Sequence, residues 1–173
     1  MMLGKLNPGP LLAAAIAVFV SNQAFAEPAA CRLLHGTYLT TITDIEGVFA
    51  SRGLVTFLPG GSLIVNDSRQ GGQAEVYEPF STGQGAWSCK SGEDGKPVFE
   101  ALSLTFTTPH SSAGSRIGRV NYAGEIDTSN GSISGHLSLL LSTAQDLESD
   151  DPIVDPGEVL EKFDFVGMRI EMP

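Results

Sequence analysis

Few side chains in this 173-residue chain have the types and spacing that catalysis or metal binding requires. The three histidines, His35, His110 and His136, lie far apart and show no H-x-H or H-x-x-x-H spacing, so they predict no metal site. The nucleophile motif G-x-S-x-G is absent, because Gly131–Gly135 has Ile133 at its centre. From these motifs we predict no catalytic residue, no metal and no cofactor.

One acidic stretch, residues 146–158, has enough carboxylates to suggest a different chemistry. Carboxylate oxygens at this density could bind Ca²⁺ in an exported protein. The spacing differs from that of an EF-hand, and Pro152 and Pro156 stiffen the segment, so a solvated loop is the simpler interpretation. Calcium binding stays open as the alternative. The acidic residues are Asp146, Glu148, Asp150, Asp151, Asp155 and Glu158.

The two cysteines, Cys31 and Cys89, are predicted to form a disulfide, because this is the usual state of a cysteine pair in an exported protein. A redox pair or a thiolate metal site is the alternative, and it would be expected to show a C-x-x-C spacing, which the chain lacks. The predicted bridge joins the N-terminal segment to the strand that carries Trp87.

The first 26 residues have the organisation of a secretory signal peptide. Lys5 supplies the positive start, Leu11–Val20 is the apolar region, and Ala24–Ala26 fits the cleavage rule. We therefore predict cleavage after Ala26 and a secreted or periplasmic protein. A lipidated Cys31 is the alternative, but proline rather than leucine stands at position 28.

The remaining chain, residues 27–173, has the length of one domain with its own core. The full chain has a formal net charge of −10, and loss of the leader, whose only charged side chain is Lys5, makes this one unit more negative. Such acidity argues against nucleic acid and anionic membranes as partners. The leader's apolar run is too short to span a bilayer, so no stable membrane insertion is expected.

Eight segments rich in β-branched and aromatic residues are predicted to be strands. Several alternate in hydrophobicity with a period of two, which indicates antiparallel sheet with one buried face. Asn130-Gly131 is the strongest hairpin signal between them. The short connections favour an all-β, eight-stranded antiparallel up-and-down barrel over the alternative two-sheet β-sandwich. Glycines inside the predicted strands suggest bulges or bends: Gly53, Gly118, Gly124, Gly135 and Gly167. The predicted strands are 36–45, 48–58, 62–68, 84–90, 98–108, 116–127, 132–142 and 160–170.

The two ends of this strand series resemble a known family. Gly36-Thr37-Tyr38 opens the first strand, and Arg169 lies near the end of the last one. This arrangement is similar to that of the calycin barrels (the lipocalins and their shorter relatives), which start with Gly-x-Trp and close with an arginine over that ring. Tyrosine replaces the tryptophan here. The resemblance implies a barrel whose lumen is large enough for one small ligand.

Aromatic residues in the predicted strands are the candidates for lining such a lumen. The long connection at residues 69–83 contributes Tyr77 and Phe80, which either fold over the mouth or cover an edge of the core. The alternative for all of these rings is that they fill a solid core. The lumen candidates are Tyr38, Phe57, Trp87, Phe106, Tyr122 and Phe165.

Three classes of function follow from this architecture. The first is a non-catalytic, exported barrel that binds a small apolar molecule. The second is a barrel that binds another exported protein, for example as an inhibitor. The third is a barrel cyclase or isomerase, which would need an ionisable group in the lumen, with Glu100, Arg52 and Arg116 as the candidates.

Overall fold

The computed structural model describes residues 28–73, 78–93, 95–108, 115–141 and 159–171. The predicted signal peptide, Tyr77, His110 and the acidic stretch at 146–158 lie outside the described residues, so their predictions stay untested.

The described residues contain a 3₁₀ helix followed by eight strands, and each strand begins and ends within two residues of its predicted bounds. The predicted all-β class is therefore confirmed. The 3₁₀ helix spans Ala29–Leu34, and the strands are β1 (Gly36–Asp44), β2 (Phe49–Leu58), β3 (Ser62–Asp67), β4 (Gly83–Ser91), β5 (Pro97–Phe106), β6 (Ile117–Asp127), β7 (Ser132–Leu141) and β8 (Val159–Arg169).

The strands form one closed antiparallel barrel in which each strand pairs with its neighbours in sequence. Closure comes from β1, where Tyr38 faces Val55 of β2 on one side and Arg169 of β8 on the other. An unbroken ring of strand pairs leaves no sheet edge unpaired, which explains why a chain with eight alternating segments adopts this form. The barrel prediction is confirmed, and the two-sheet sandwich is excluded.

Tight turns between the strands are held by short polar side chains. After β1, the Asp44 carboxylate accepts hydrogen bonds from the backbone N–H groups of Glu46 and Val48, at 2.9 and 2.8 Å. Before β7, Asn130 accepts one from the Ser132 N–H at 2.8 Å, and Gly131 adopts a φ of 70°. That backbone conformation favours glycine, so the Asn-Gly pair sets the turn as predicted.

The register of the strand pairs shifts at none of the five glycines inside the strands, so the prediction of bulges at these positions is wrong. The register shifts instead occur between Ile42 and Thr43 in β1 and near Leu140 in β7. Gly124 shows what the interior glycines do: a Cβ atom there would lie 2.8 Å from the ring of Phe99. At these positions, backbone or side-chain atoms of neighbouring strands occupy the space in which a Cβ atom would lie.

The 3₁₀ helix and the disulfide lie at one end of the barrel. Cys31 is bonded to Cys89 of β4, with the two Cα atoms 5.8 Å apart, so the predicted bridge is confirmed. Cys31 and Leu34 are fully buried. Because the helix packs beneath β4 and β5, this end is closed. In the described part of the chain, no helix has the length and apolar character that a membrane span requires.

Candidate functional site

A series of aromatic rings runs from the closed end of the barrel into its middle. Trp87 donates a hydrogen bond from Nε1 to the Leu58 carbonyl at 3.0 Å, and its ring contacts Phe57 edge to face. Phe57 contacts Phe99, which in turn contacts Phe165. Edge-to-face ring pairs stabilise a core beyond the area that they bury. The part of the barrel next to the closed end is therefore a packed core.

The start of β1 lies against the end of β8. Gly36 has a φ of 140°, and a Cβ atom there would lie 3.0 Å from Nε of Arg169. Tyr38 is fully buried and donates a hydrogen bond to the Leu33 carbonyl at 2.9 Å. Burial raises the pKa of Tyr38, while the positive charge of Arg169 lowers it. Tyr38 and Arg169 therefore belong to the closed end of the barrel.

Above this core the barrel encloses a cavity of about 1100 Å³. Its volume lies just above the range, roughly 300–1,000 Å³, that is typical of small-molecule sites. The walls are mainly apolar. The apolar residues that line the cavity are Ile42, Val55, Phe57, Val65, Phe80, Phe99, Val120, Ile133, Leu137, Leu139, Leu141, Phe163 and Phe165.

The cavity exists because many inward positions toward the mouth carry small residues. A Cβ atom on Gly53 would lie 2.6 Å from the Thr40 hydroxyl, and one on Gly118 would lie 2.6 Å from the Thr105 hydroxyl. Alternation with a period of two sends these residues to the same side of the sheet as the large rings lower down. Small residues at lumen positions are the sequence signal for the cavity. The residues concerned are Thr40, Ala50, Ser51, Gly53, Ser103, Thr105, Thr107 and Gly118.

A small group of polar side chains lies in the wall of this apolar cavity. The pKa of Tyr122 is raised to about 12, because burial disfavours the phenolate; the Ser103 hydroxyl lowers it and the Asp67 carboxylate raises it. Asp67 accepts hydrogen bonds from the Ser51 hydroxyl at 2.7 Å and from the Arg69 N–H at 2.8 Å. Tyr122 is enclosed by the barrel wall, and its remaining exposure is toward the cavity.

Ser103 differs from the other polar groups in the wall. Its side chain is 1 % exposed, and its oxygen has no hydrogen-bond partner of acceptable geometry among the described residues. The hydroxyl affects the Tyr122 pKa but does not meet the geometry of a hydrogen bond with any described group. Buried hydroxyls without partners are uncommon, because leaving one unpaired costs about 1–3 kcal/mol.

The mouth of the cavity is narrowed by the segment before β4. Phe80 lines the cavity and pairs with Thr107 in an isolated bridge. Next to this bridge, Arg116 donates to the Glu78 carboxylate at 2.8 Å, and this ion pair is only partly exposed. Phe80 therefore lies at the mouth, which is one of the two positions that the sequence left open for it.

The six predicted lumen residues divide into three groups. Phe57, Tyr122 and Phe165 line the cavity. Tyr38 and Trp87 are buried in the core at the closed end and do not line the cavity. Phe106 is 57 % exposed on the outer face, so its assignment to the lumen is wrong.

The reason for the error at Phe106 is the orientation of β5. Phe99, Ala101 and Ser103 point inward, which sends Leu104 and Phe106 outward. Alternation identifies two faces of a strand but not which of them is inside. Here the face with hydroxyls borders the cavity, and the more apolar face is outside.

The three charged residues predicted as candidates for catalysis in the lumen lie in different places. Arg116 lines the mouth of the cavity. Arg52 is exposed, and Glu100 lies on the outer surface, 3.7 Å from Nζ of Lys90. His136 is exposed and contacts the Asp164 carboxylate on the outer surface. The described residues contain no group of three or more histidine, cysteine, aspartate or glutamate side chains that could hold a metal ion.

Comparison of the chain with models of protein families, with curated proteins and with solved structures gives no match. The site therefore has to be interpreted from its own geometry.

Proposed function

We propose that this protein is an exported, calycin-like barrel that binds a small apolar ligand in its lumen without catalysing a reaction. The observation that carries the proposal is the cavity of about 1100 Å³ with predominantly apolar walls. Eight-stranded barrels enclose enough space for side chains or for one small ligand. In this barrel the side chains fill only the closed end.

The ends of the barrel support the calycin assignment. The Arg169 guanidinium packs against Gly36, and its charge acts on Tyr38. These are the residues on which the resemblance to the calycin barrels rests, and their proximity supports the proposal. The disulfide between Cys31 and Cys89 is compatible with an oxidising, exported location.

The two alternative functions have weaker support. A protein-binding barrel needs only a solid core and exposed loops, so it does not account for a cavity of this size. A cyclase or isomerase needs an ionisable group placed for proton transfer. Of the three charged residues predicted for that role, Arg52 and Glu100 are exposed on the outside, and Arg116 is paired with Glu78 at the mouth.

The proposal is tested by measuring binding of a neutral apolar fluorescent probe, N-phenyl-1-naphthylamine, to the purified oxidised protein. Val120→Trp places a large ring at a half-buried lumen position, whereas Val166→Trp makes the same change on the exposed outer face of β8. We expect V120W to weaken probe binding at least about tenfold, because the added ring takes up space that the probe needs. The control V166W should bind as the wild type does.

Native mass spectrometry of the same preparation, before and after extraction with organic solvent, tests whether the protein carries a ligand from its source. A reproducible excess mass that extraction removes supports the proposal and gives the ligand's mass. Absence of both a bound molecule and any probe binding would overturn it. Equal weakening by V120W and V166W would show that the probe does not enter the lumen.

A further inference from the structure

The polar groups in the cavity wall point to a more specific ligand than an apolar one. Tyr122, Ser103 and Asp67 come from β6, β5 and β3, and all three line the cavity. The Tyr122 phenol is near enough to the other two for both to affect its ionisation. The fold thus places two hydroxyl groups and a carboxylate in the wall of one cavity whose lining is mainly apolar.

The hydrogen-bonding capacity of this group is not used up within the protein. The Ser103 oxygen is buried without a partner. Each Asp67 oxygen accepts one hydrogen bond, one from Ser51 and the other from the backbone of Arg69. A carboxylate has about four acceptor sites on its two oxygens, so Asp67 can accept further bonds. An apolar pocket with a few unsatisfied polar groups is typical of a site that orients its ligand.

The roles of donor and acceptor are set by the ionisation of the groups. Tyr122 keeps its proton at neutral pH, since its pKa is raised to about 12, and so it offers an O–H donor. The Asp67 side chain acts as an acceptor, since both of its oxygens already accept hydrogen bonds. A ligand group that both accepts and donates one hydrogen bond matches this pair, and a hydroxyl group is the simplest group of that kind.

We propose that the cavity binds a neutral amphiphile with one hydroxyl group, which accepts a hydrogen bond from Tyr122 and donates one to Asp67, with Ser103 as the second hydroxyl partner. This inference rests on the proposed function, because it names the ligand class of the same cavity. The hydroxyl lies within the lumen, and the apolar part of the molecule contacts the surrounding aliphatic and aromatic walls.

The charges of the cavity favour a neutral ligand over an anionic one. Asp67, Glu78 and Glu161 line it, and of the two lining cations Arg116 is already held by Glu78. A carboxylate ligand would have to lie near Asp67 in an environment of low dielectric constant, where repulsion between like charges is strong. Fatty acids are therefore expected to bind more weakly than alcohols of the same chain length.

The inference is tested with three probes of one chain length: 1-dodecanol, its methyl ether and dodecanoate, each displacing N-phenyl-1-naphthylamine at pH 7.5. We expect the wild-type protein to bind dodecanol about tenfold more tightly than the ether, because the ether cannot donate to Asp67. Dodecanoate should bind more weakly than dodecanol.

Two variants assign the preference to the polar groups. Tyr122→Phe removes the donor and should reduce the affinity for dodecanol about tenfold more than it reduces the affinity for the apolar probe. The matched control Tyr38→Phe removes the same atom from a tyrosine outside the cavity and should leave the preference unchanged. Asp67→Asn should reduce the discrimination against dodecanoate. Circular dichroism spectra identical to the wild type's establish that each variant is folded.

The outcomes separate the two proposals. If neither the fluorescent probe nor any of the three compounds binds, the proposed function itself fails. If all three compounds bind with equal affinity, or if Y122F and Y38F behave alike, the lumen still binds apolar molecules but the hydroxyl site is refuted.

Discussion

Removal of the disulfide is expected to destabilise the barrel without altering its cavity. The double variant C31A/C89A deletes the bond between the 3₁₀ helix and β4. Cys31 is fully buried beside the closed end, while the cavity opens at the opposite end. Stability and ligand binding are therefore predicted to respond independently.

The magnitude follows from the length of chain that the bridge closes. The two cysteines are 58 residues apart in sequence. In the chain-entropy model, a bridge across a loop of that length lowers the entropy of the unfolded chain by an amount worth about 4 kcal/mol at 25 °C. For a domain of this size, each kcal/mol shifts Tm by roughly 2–4 °C, so C31A/C89A is expected to melt about 8–16 °C below the oxidised wild type.

The assay is guanidinium unfolding followed by the fluorescence of Trp87, the chain's single tryptophan. Wild-type protein treated with reducing agent has the same sequence without the bridge, so it is the control and should match the double variant. In the reduced wild type and in the double variant, the affinity for the neutral apolar probe should stay within about twofold of that of the oxidised wild type. If the free energy of unfolding falls by less than about 1 kcal/mol, the entropic argument is refuted. A loss of probe binding in a folded variant would refute the separation of the two ends.

Two other perturbations test the closed end and the lumen. Gly36→Ala adds a Cβ atom that would lie 3.0 Å from Nε of Arg169, at a φ of 140° that L-residues rarely adopt, so we expect a loss of about 2 kcal/mol in thermal unfolding. Adding Arg169→Ala to that variant should restore only part of the lost free energy of unfolding, because the backbone strain at position 36 remains. Complete recovery of stability would show that the clash with the Arg169 side chain was the whole cause. Tyr122 ionises near pH 10 when unfolded and near pH 12 when folded. Its contribution to stability is therefore complete below pH 10 and is lost as the pH rises from 10 to 12. Between pH 9 and pH 11 the wild type should lose about 1 kcal/mol more stability in urea than Y122F, and an equal loss in both would contradict the assignment.

Much of the fold could be predicted because local patterns in this chain agree with its tertiary structure. Segments rich in β-branched and aromatic residues, several of them alternating in hydrophobicity, located all eight strands, and Asn130-Gly131 marked a turn that the structure contains. The cysteine pair predicted the bridge between the N-terminal segment and β4. Each of these features depends on short-range chemistry or on the small number of ways in which two cysteines can pair.

The site could be predicted only in part. Phe57, Tyr122 and Phe165 line the cavity, but Phe106 does not, because β5 presents its hydroxyl-bearing face to the lumen. Ser103 and Asp67 were missed as site residues. Each looks like an ordinary polar strand residue until the closed barrel turns it toward the cavity that Tyr122 also lines.

The amino-acid sequence by itself determined the class of the fold, the order and bounds of its strands and the covalent link at one end. These are properties of periodicity and of residue type, which act over a few neighbouring residues. Only the tertiary structure decided which face of each strand is inside and that the lumen is partly empty. The physical reason is that a cavity depends on the summed volumes of side chains from all eight strands at one height in the barrel, and that sum exists only after the barrel has closed.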